Sequence, residues 1–231
     1  MENFDYQLVA NASDSERVNF YKKTYLHVAM AILAFILVET ILLIFTPPAV
    51  IEFMLGGRLT WLAIIGIFWL ASTLANGFVM SESRNVQYAG LGVYVLIEAL
   101  IFLPMMYIVV GLADSADVLL QAGLFTMFLF AGLTYLGSTS STGFSFMKSI
   151  LVLGGFISIG LIVCGALFGF ELGLWFSLAM VLLAGGSILY NTQNMKEVYH
   201  TEQYVGAALQ LFASIMLMYW YILRILLRSR R

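Results

Sequence analysis

The sequence has few charged residues, which make up 10% of its 231 positions. Soluble domains carry about 25% charged residues, so this composition excludes an ordinary water-soluble fold. The net charge of -2 excludes a basic surface for nucleic acid. Cys164 is the one cysteine, which excludes an intramolecular disulfide and a multi-cysteine metal site. Because Cys164 lies inside an apolar run, we expect it to be buried and inert.

Long apolar runs take up most of the chain, and 61% of its residues are hydrophobic. About 20 apolar residues are enough to cross a bilayer. Seven runs approach or reach that length: Tyr25–Phe45, Leu59–Met80, Tyr88–Val110, Leu119–Leu136, Met147–Phe168, Leu172–Tyr190 and Val205–Leu227. The sequence therefore predicts an all-α integral membrane protein in the lipid bilayer, with a seven-transmembrane-helix domain at residues 25–231. The polar residues 1–24 form an N-terminal tail, either flexible or an amphipathic lead-in near Val18–Tyr21.

The charges between the runs predict an orientation. The tail and the even-numbered connections hold most basic residues, namely Arg17, Lys22, Lys23, Arg84, Lys148 and Lys196. The odd-numbered connections hold Arg58 and collect the acids Glu52, Asp114, Asp117 and Glu171. The positive-inside rule then places the N-terminus in the cytoplasm. Arg228, Arg230 and Arg231 argue the other way, and six spans with a re-entrant segment would make them cytoplasmic. The start of the chain does not resemble a secretory signal, so we expect a cell inner membrane protein.

The last run, Val205–Leu227, has one face of small and polar residues. At about 100° per residue this face carries Gly206, Gln210, Ser214, Leu217, Tyr221 and Arg224. Lipid cannot satisfy such groups, so they must face protein or water. We therefore predict that the last helix is central and surrounded by the others. The alternative is a peripheral span that tolerates a few polar residues.

Ionisable side chains inside a span are costly, by about 2.5 kcal/mol or more on insertion scales, and each is a candidate for function. Glu98 lies near the middle of the third run, one turn after Tyr94. Glu39 lies in the outer part of the first run, and His27 at its inner edge, where we expect an interfacial residue. Each carboxyl either lies on a cation or proton pathway or is a protonated hydrogen-bond donor in the core. Two carboxylates and one histidine do not make a transition-metal site, and the sequence calls for no cofactor.

The segment Ile188–Met195 reads I-L-Y-N-T-Q-N-M and is densely polar. Either Thr192 and Asn194 cap the end of the sixth helix, or Asn191 points into the bundle toward Gln210 and Ser214. The segment pairs no nucleophile with a base and has no glycine-rich phosphate loop. We therefore expect no catalysis, and a membrane-bound hydrolase is the weakest alternative.

The segments Ile188–Met195 and Y-V-G-A-A-L-Q-L-F-A-S-I-M-L-M-Y-W-Y-I-L-R-I-L resemble the C-terminal signature of the Bax inhibitor (transmembrane Bax inhibitor motif) family. Weaker similarity extends through Y-A-G-L-G-V-Y-V-L-I-E-A-L-I-F-L-P in the third run. The resemblance implies seven helices around a central last one, calcium leak across membranes and suppression of stress-induced death. For bacterial members it also implies association with a membrane-bound AAA protease.

The sequence departs from the family at two positions. In calcium-leak members two aspartates share a proton and gate a pore by pH, and here Asn191 and Ser214 stand in their places. Neither side chain ionises in this range. A cation leak would then depend on Glu98 or Glu39, with little pH gating between about 6 and 8. The alternative is a non-conducting membrane modulator whose N-terminal tail is bound by a protease.

Overall fold

The computed structural model describes residues 7–57, 83–112, 116–140 and 145–229, with scattered positions between 60 and 81. Its helices are α1 (Asp14–Phe45), α2 (Pro48–Leu55), α3 (Arg84–Tyr107), α4 (Ala116–Thr139), α5 (Ser145–Phe168), α6 (Leu174–Glu197) and α7 (Tyr204–Ser229). A 3-10 turn, Val9–Asn11, precedes α1, and a π-helical turn, Ile108–Leu112, follows α3. Among the described residues, six helices are long and apolar enough to cross a membrane, all but α2. The second predicted span, Leu59–Met80, lies largely outside the described residues, so six of the seven predicted spans are observed.

Helix α1 begins earlier than the apolar pattern predicts. Ser13 and Glu16 form a capping box, in which the Ser13 amide donates to Glu16 Oε2 at 2.9 Å. The Glu16 amide donates back to Ser13 Oγ at 3.4 Å. This S-x-x-E pattern supplies partners for amides at the helix start that would otherwise have none. Residues 14–24 of the predicted tail are therefore the first turns of α1, while residues 1–6 lie outside the described range.

Helix α7 lies at the centre of the bundle. No side chain between Gln203 and Leu227 is exposed, and α7 contacts α1, α3, α4 and α6. Helix α5 is the opposite case, because its only neighbour among the described helices is α6. The prediction of a central last helix is confirmed, and the peripheral alternative is wrong. The polar face of α7 is thus surrounded by protein, as the cost of exposing it to lipid requires.

The N-terminal segment lies at one end of the bundle, here called the near end. The Val9 amide donates to the Tyr199 carbonyl at 2.9 Å, and the Thr201 amide donates to the Gln7 carbonyl at 3.1 Å. Arg84, the first residue of α3, forms an ion pair with Glu202 in the same α6–α7 connection. Helices α1 and α3 therefore both start at the near end.

The C-terminal end of α7 lies at the opposite, far end. Arg224 Nη2 donates to the Leu172 carbonyl at 3.1 Å, in the α5–α6 connection. That connection turns at Gly169, whose φ of 78° is unfavourable for a residue with a side chain. The described ends of the chain are therefore at opposite ends of the bundle, as the predicted odd number of spans requires. Arg58, Asp114, Arg230 and Arg231 lie outside the described residues.

One side chain differs from its sequence-based expectation, and a second has its partners identified. Cys164 is exposed on the outer surface of α5 and is not buried. An apolar run in a membrane protein has a face toward lipid, so apolar surroundings in the sequence do not imply burial. His27 is buried against protein near the start of α3, where its ring nitrogens bond the Lys23 carbonyl at 2.7 Å and the Tyr88 hydroxyl at 2.8 Å.

Candidate functional site

Glu98 is buried at the middle of the bundle. It lies on α3 and has 4% of its surface exposed. Tyr94, one turn earlier on the same helix, hydrogen-bonds its carboxyl group. Both side chains line a cavity of about 520 Å³ between α3, α5, α6 and α7. We call it the Glu98 cavity.

The other walls of the Glu98 cavity are partly polar. Helix α7 contributes Gln210, Ser214 and Tyr221, three members of its predicted polar face. Ser158 on α5 and Ser187 on α6 complete the set. One carboxyl group thus shares a cavity with hydroxyl and amide oxygens, which are the ligand types that hard cations prefer. The cavity is chemically suited to hold a weakly coordinated cation or to pass a proton.

Asn191 and Ser214 meet across the α6–α7 interface. Asn191 Nδ2 donates to Ser214 Oγ at 3.1 Å and lies 3.3 Å from the Gln210 carbonyl and from Ser187 Oγ. The Ser187 and Ser214 hydroxyls are 2.8 Å apart. Helix α6 continues to Glu197, so Thr192 and Asn194 lie inside it and do not cap it. Of the two readings of this segment, the inward-pointing Asn191 is the one observed.

The Asn191–Ser214 contact is neutral and lies beside the Glu98 cavity. Ser214 and Ser187 line the cavity, whereas Asn191 stands behind them. The hydrogen bonds join α6 to α7 without a titrating group. Asn191 and Ser214, the two positions at which the resemblance implies aspartates, are therefore in contact and contain no acid.

Glu39 lies in a different cavity. It has 5% of its surface exposed, and it lines a space of about 620 Å³ between α1, α4 and α7. Neither of its carboxyl oxygens has a hydrogen-bond partner. Glu98 does not line this space, which we call the Glu39 cavity. The two acids that the sequence offers for one pathway are thus on different faces of α7.

Arg224, the last member of the polar face, lies away from both acids. It lines a third cavity, of about 530 Å³, with Arg228 and Glu171 at the far end. Tyr221 lines this cavity and also the Glu98 cavity, so the two adjoin. The polar face of α7 therefore lines two cavities. Gln210 and Ser214 line the Glu98 cavity, and Arg224 lines the cavity at the far end.

The sequence did not indicate a cavity-lining role for two polar residues, Ser158 and Ser187. Ser158 Oγ donates to the Gly154 carbonyl at 2.7 Å, the bond that serines in membrane helices commonly make. Such a serine carries no sequence signal that separates cavity lining from ordinary helix packing. Among the described residues, no group of three His, Cys, Asp or Glu side chains could hold a metal ion.

Comparison with known families bears on the whole chain. A family model described as inhibitor of apoptosis-promoting Bax1 matches residues 17–231. No curated protein matches the chain significantly. The matched range contains α2 to α7 completely and all but the first turn of α1. The chain therefore belongs to the Bax inhibitor family.

Proposed function

We propose that this protein lets cations leak across the membrane through the Glu98 cavity. The observation that supports the proposal is the set of oxygens around Glu98, a buried carboxyl with Ser187, Gln210 and Ser214 in the same space. Buried acids inside membrane spans are costly and mark ion or proton pathways. The role is transport rather than catalysis, and no cofactor enters it.

Calcium is the cation that family membership favours. Calcium ions take 6–8 oxygen ligands, and their affinity rises with the number of charged ligands. The Glu98 cavity offers one carboxyl group and several neutral oxygens, which suits weak binding. Weak binding is what conduction needs, because an ion must leave the site as readily as it enters.

The direct test is calcium flux into proteoliposomes of the purified protein, followed with an indicator trapped inside. Wild-type protein should conduct above the level of empty vesicles. Glu98→Gln removes the charge but keeps the shape and the bond to Tyr94, so its flux should fall toward the empty-vesicle level. Equal flux from wild type and Glu98→Gln would contradict the proposal.

Glu39→Gln is the matched control, because it removes the other buried acid. Glu39 lies in a cavity that Glu98 does not share, so this variant should keep wild-type flux. Both variants should elute and melt like wild type in the same detergent. Loss of flux in both Glu98→Gln and Glu39→Gln would indicate a general effect of removing a buried acid. It would contradict the assignment of conduction to the Glu98 cavity.

We propose an inner-membrane location with the near end in the cytoplasm. Arg17, Lys22, Lys23 and Arg84 belong to the N-terminal segment and the start of α3, and the positive-inside rule favours that side. In a Cys164→Ser background, Asn11→Cys and Ser229→Cys place one thiol at each end. A membrane-impermeant maleimide added to sealed spheroplasts should label Ser229→Cys alone. Labelling of Asn11→Cys alone would reverse the orientation.

A second candidate function is a non-conducting partner of a membrane-bound AAA protease. The observation that favours it is the neutral contact between Asn191 and Ser214, which holds α6 to α7 where the family has its acid pair. Its test is co-purification from native membranes, with the full chain and with residues 1–6 deleted. Absence of a protease from both preparations would contradict this function, and loss after the deletion alone would place the contact in the tail.

A further inference from the structure

The Glu39 cavity opens on the side of the bundle. Helices α1 and α4 form its two walls and do not contact each other, and α7 forms its floor. Ile36 on α1 and Leu120 and Leu124 on α4 line the space and are also exposed on the outer surface. A molecule dissolved in the membrane can therefore reach the cavity sideways.

Glu39 is the one acidic or basic side chain among the described residues that line this cavity, and Tyr219, whose hydroxyl donates to the Leu119 carbonyl at 3.4 Å, is the other ionisable group. Its carboxyl oxygens are buried, and neither has a partner. The nearby hydroxyls donate elsewhere: Thr40 to the Ile36 carbonyl at 2.7 Å, and Thr126 to the Ala122 carbonyl at 2.7 Å. A buried carboxyl without a hydrogen bond is unfavourable in either protonation state. The protein supplies a hydrogen-bond acceptor and apolar walls, so a ligand that fits this cavity would supply the hydrogen-bond donor.

We propose that the Glu39 cavity binds a single-chain amphiphile with a primary amine head group. An ammonium group brings three donors and a positive charge, and can bond both oxygens of Glu39. The alkyl chain would lie along Phe35, Leu119 and Ile215, which line the same space. The cavity volume of about 620 Å³ falls within the range of about 300–1,000 Å³ for small-molecule sites.

The position of Glu39 along α1 suits this type of ligand. Glu39 is six residues before the end of α1 at Phe45, which corresponds to about 9 Å along the helix axis. The carboxyl group therefore lies in the half of the bundle that adjoins the far end. An amphiphile from the far leaflet would keep its amine near the head groups while its chain pointed toward the bilayer centre. A fatty acid would instead place two carboxyl groups together, and an alcohol would bring one donor and no charge.

This site is independent of the cation pathway. The Glu39 and Glu98 cavities share a single lining residue, Met216, and use different faces of α7. Amine binding would therefore survive the loss of Glu98, and a leak through Glu98 would survive the loss of Glu39. Failure of one proposal leaves the other standing.

The test is photolabelling of the full-length protein in phosphatidylcholine nanodiscs with dodecylamine that carries a diazirine on its chain. Labelled peptides are mapped by mass spectrometry. Wild-type protein should be labelled within residues 32–43 of α1 and 116–127 of α4. Unlabelled dodecylamine should compete, whereas dodecanol should not. Competition by dodecanol as strong as that by dodecylamine would overturn the proposal.

Two variants probe the site by different routes. Glu39→Gln removes the charge, and labelling of these peptides should fall about tenfold, the effect of losing one charge-assisted hydrogen bond. Gly123→Leu keeps Glu39 and fills the cavity, since a Cβ at Gly123 would have no atom within 4 Å. It should remove labelling as well. The matched control is Gly155→Leu, which has the same open surroundings but lines the Glu98 cavity and should keep wild-type labelling. Equal labelling in wild type, Glu39→Gln and Gly123→Leu would overturn the site.

Discussion

The two buried glutamates differ in what surrounds them. Glu98 has a hydrogen bond from Tyr94 and shares its cavity with serine hydroxyls and the Gln210 amide. The carboxyl group of Glu39 has no hydrogen-bond partner, and most of the side chains that line its cavity are apolar. Both residues are almost fully buried within membrane helices. The same side chain therefore stands in two settings, one that is supplied with polar partners by the protein and one that is not.

This difference separates two uses of a buried acid. A carboxyl group among other oxygens can replace part of the water shell of an ion, which suits transport. A lone carboxyl group in an apolar space recognises one donor at one position, which suits binding of a ligand with an apolar body. The sequence position alone does not distinguish the cases, because both glutamates are single acids in apolar runs.

The largest expected effect comes from filling one cavity at a time. Gly155→Leu places a side chain in the Glu98 cavity, and Gly123→Leu makes the same change in the Glu39 cavity. Calcium flux in proteoliposomes should fall to the empty-vesicle level for Gly155→Leu and stay at the wild-type level for Gly123→Leu. Each replacement also raises helix propensity by about 1 kcal/mol, so unfolding is not expected to explain the result.

Loss of flux in Gly123→Leu together with normal flux in Gly155→Leu would contradict this assignment of the two cavities. The conducting path would then run through the Glu39 cavity, and the assignment of the two acids would be exchanged. Melting curves in the same detergent check that both variants remain folded.

The second expected effect is a change in the pH dependence of calcium flux, produced by replacing the neutral contact between Asn191 and Ser214. Asn191→Asp combined with Ser214→Asp places two carboxyl groups where Nδ2 and Oγ are now 3.1 Å apart. Two acids that close titrate as a coupled pair and share a proton. The pH profile of flux through the double variant should differ from the wild-type profile between about 6 and 8. Equal pH profiles for wild type and the double variant would show that this contact does not control the path.

Much of the fold follows from the sequence. The central place of α7 follows because Gln210 and Ser214 would be too costly on a lipid-facing surface. The contact between Asn191 and Ser214 was one of two readings of the polar segment, and the hydrogen bonds decide between them. The early start of α1 also has a sequence signal, the capping box of Ser13 and Glu16, but hydropathy alone does not detect it.

The division into two cavities could not be predicted from the sequence. Helical periodicity tells which residues of α1 or α3 share a face, but not which face of α7 they meet. The sequence gives the depth of Glu39 and Glu98 in their spans, but which cavity each one faces is unknown until the rotation of each helix is known. Cys164 shows the same limit, since its apolar neighbours in the sequence fit a buried face and a lipid-facing one equally well.

The smallest expected effect is on stability, and it has opposite signs at the two acids. Glu39→Met removes a buried carboxyl group that has no partner, so the variant should gain stability, by about 1–3 kcal/mol. Glu98→Met leaves the Tyr94 hydroxyl without its carboxyl partner, and it should lose about 1–3 kcal/mol. Thermal unfolding in one detergent, without added amine, measures both changes. Adding dodecylamine should then raise the melting temperature of wild type but not of Glu39→Met, because a ligand stabilises only a folded state that binds it. A fall in stability for Glu39→Met would mean that Glu39 already has a partner in the native state.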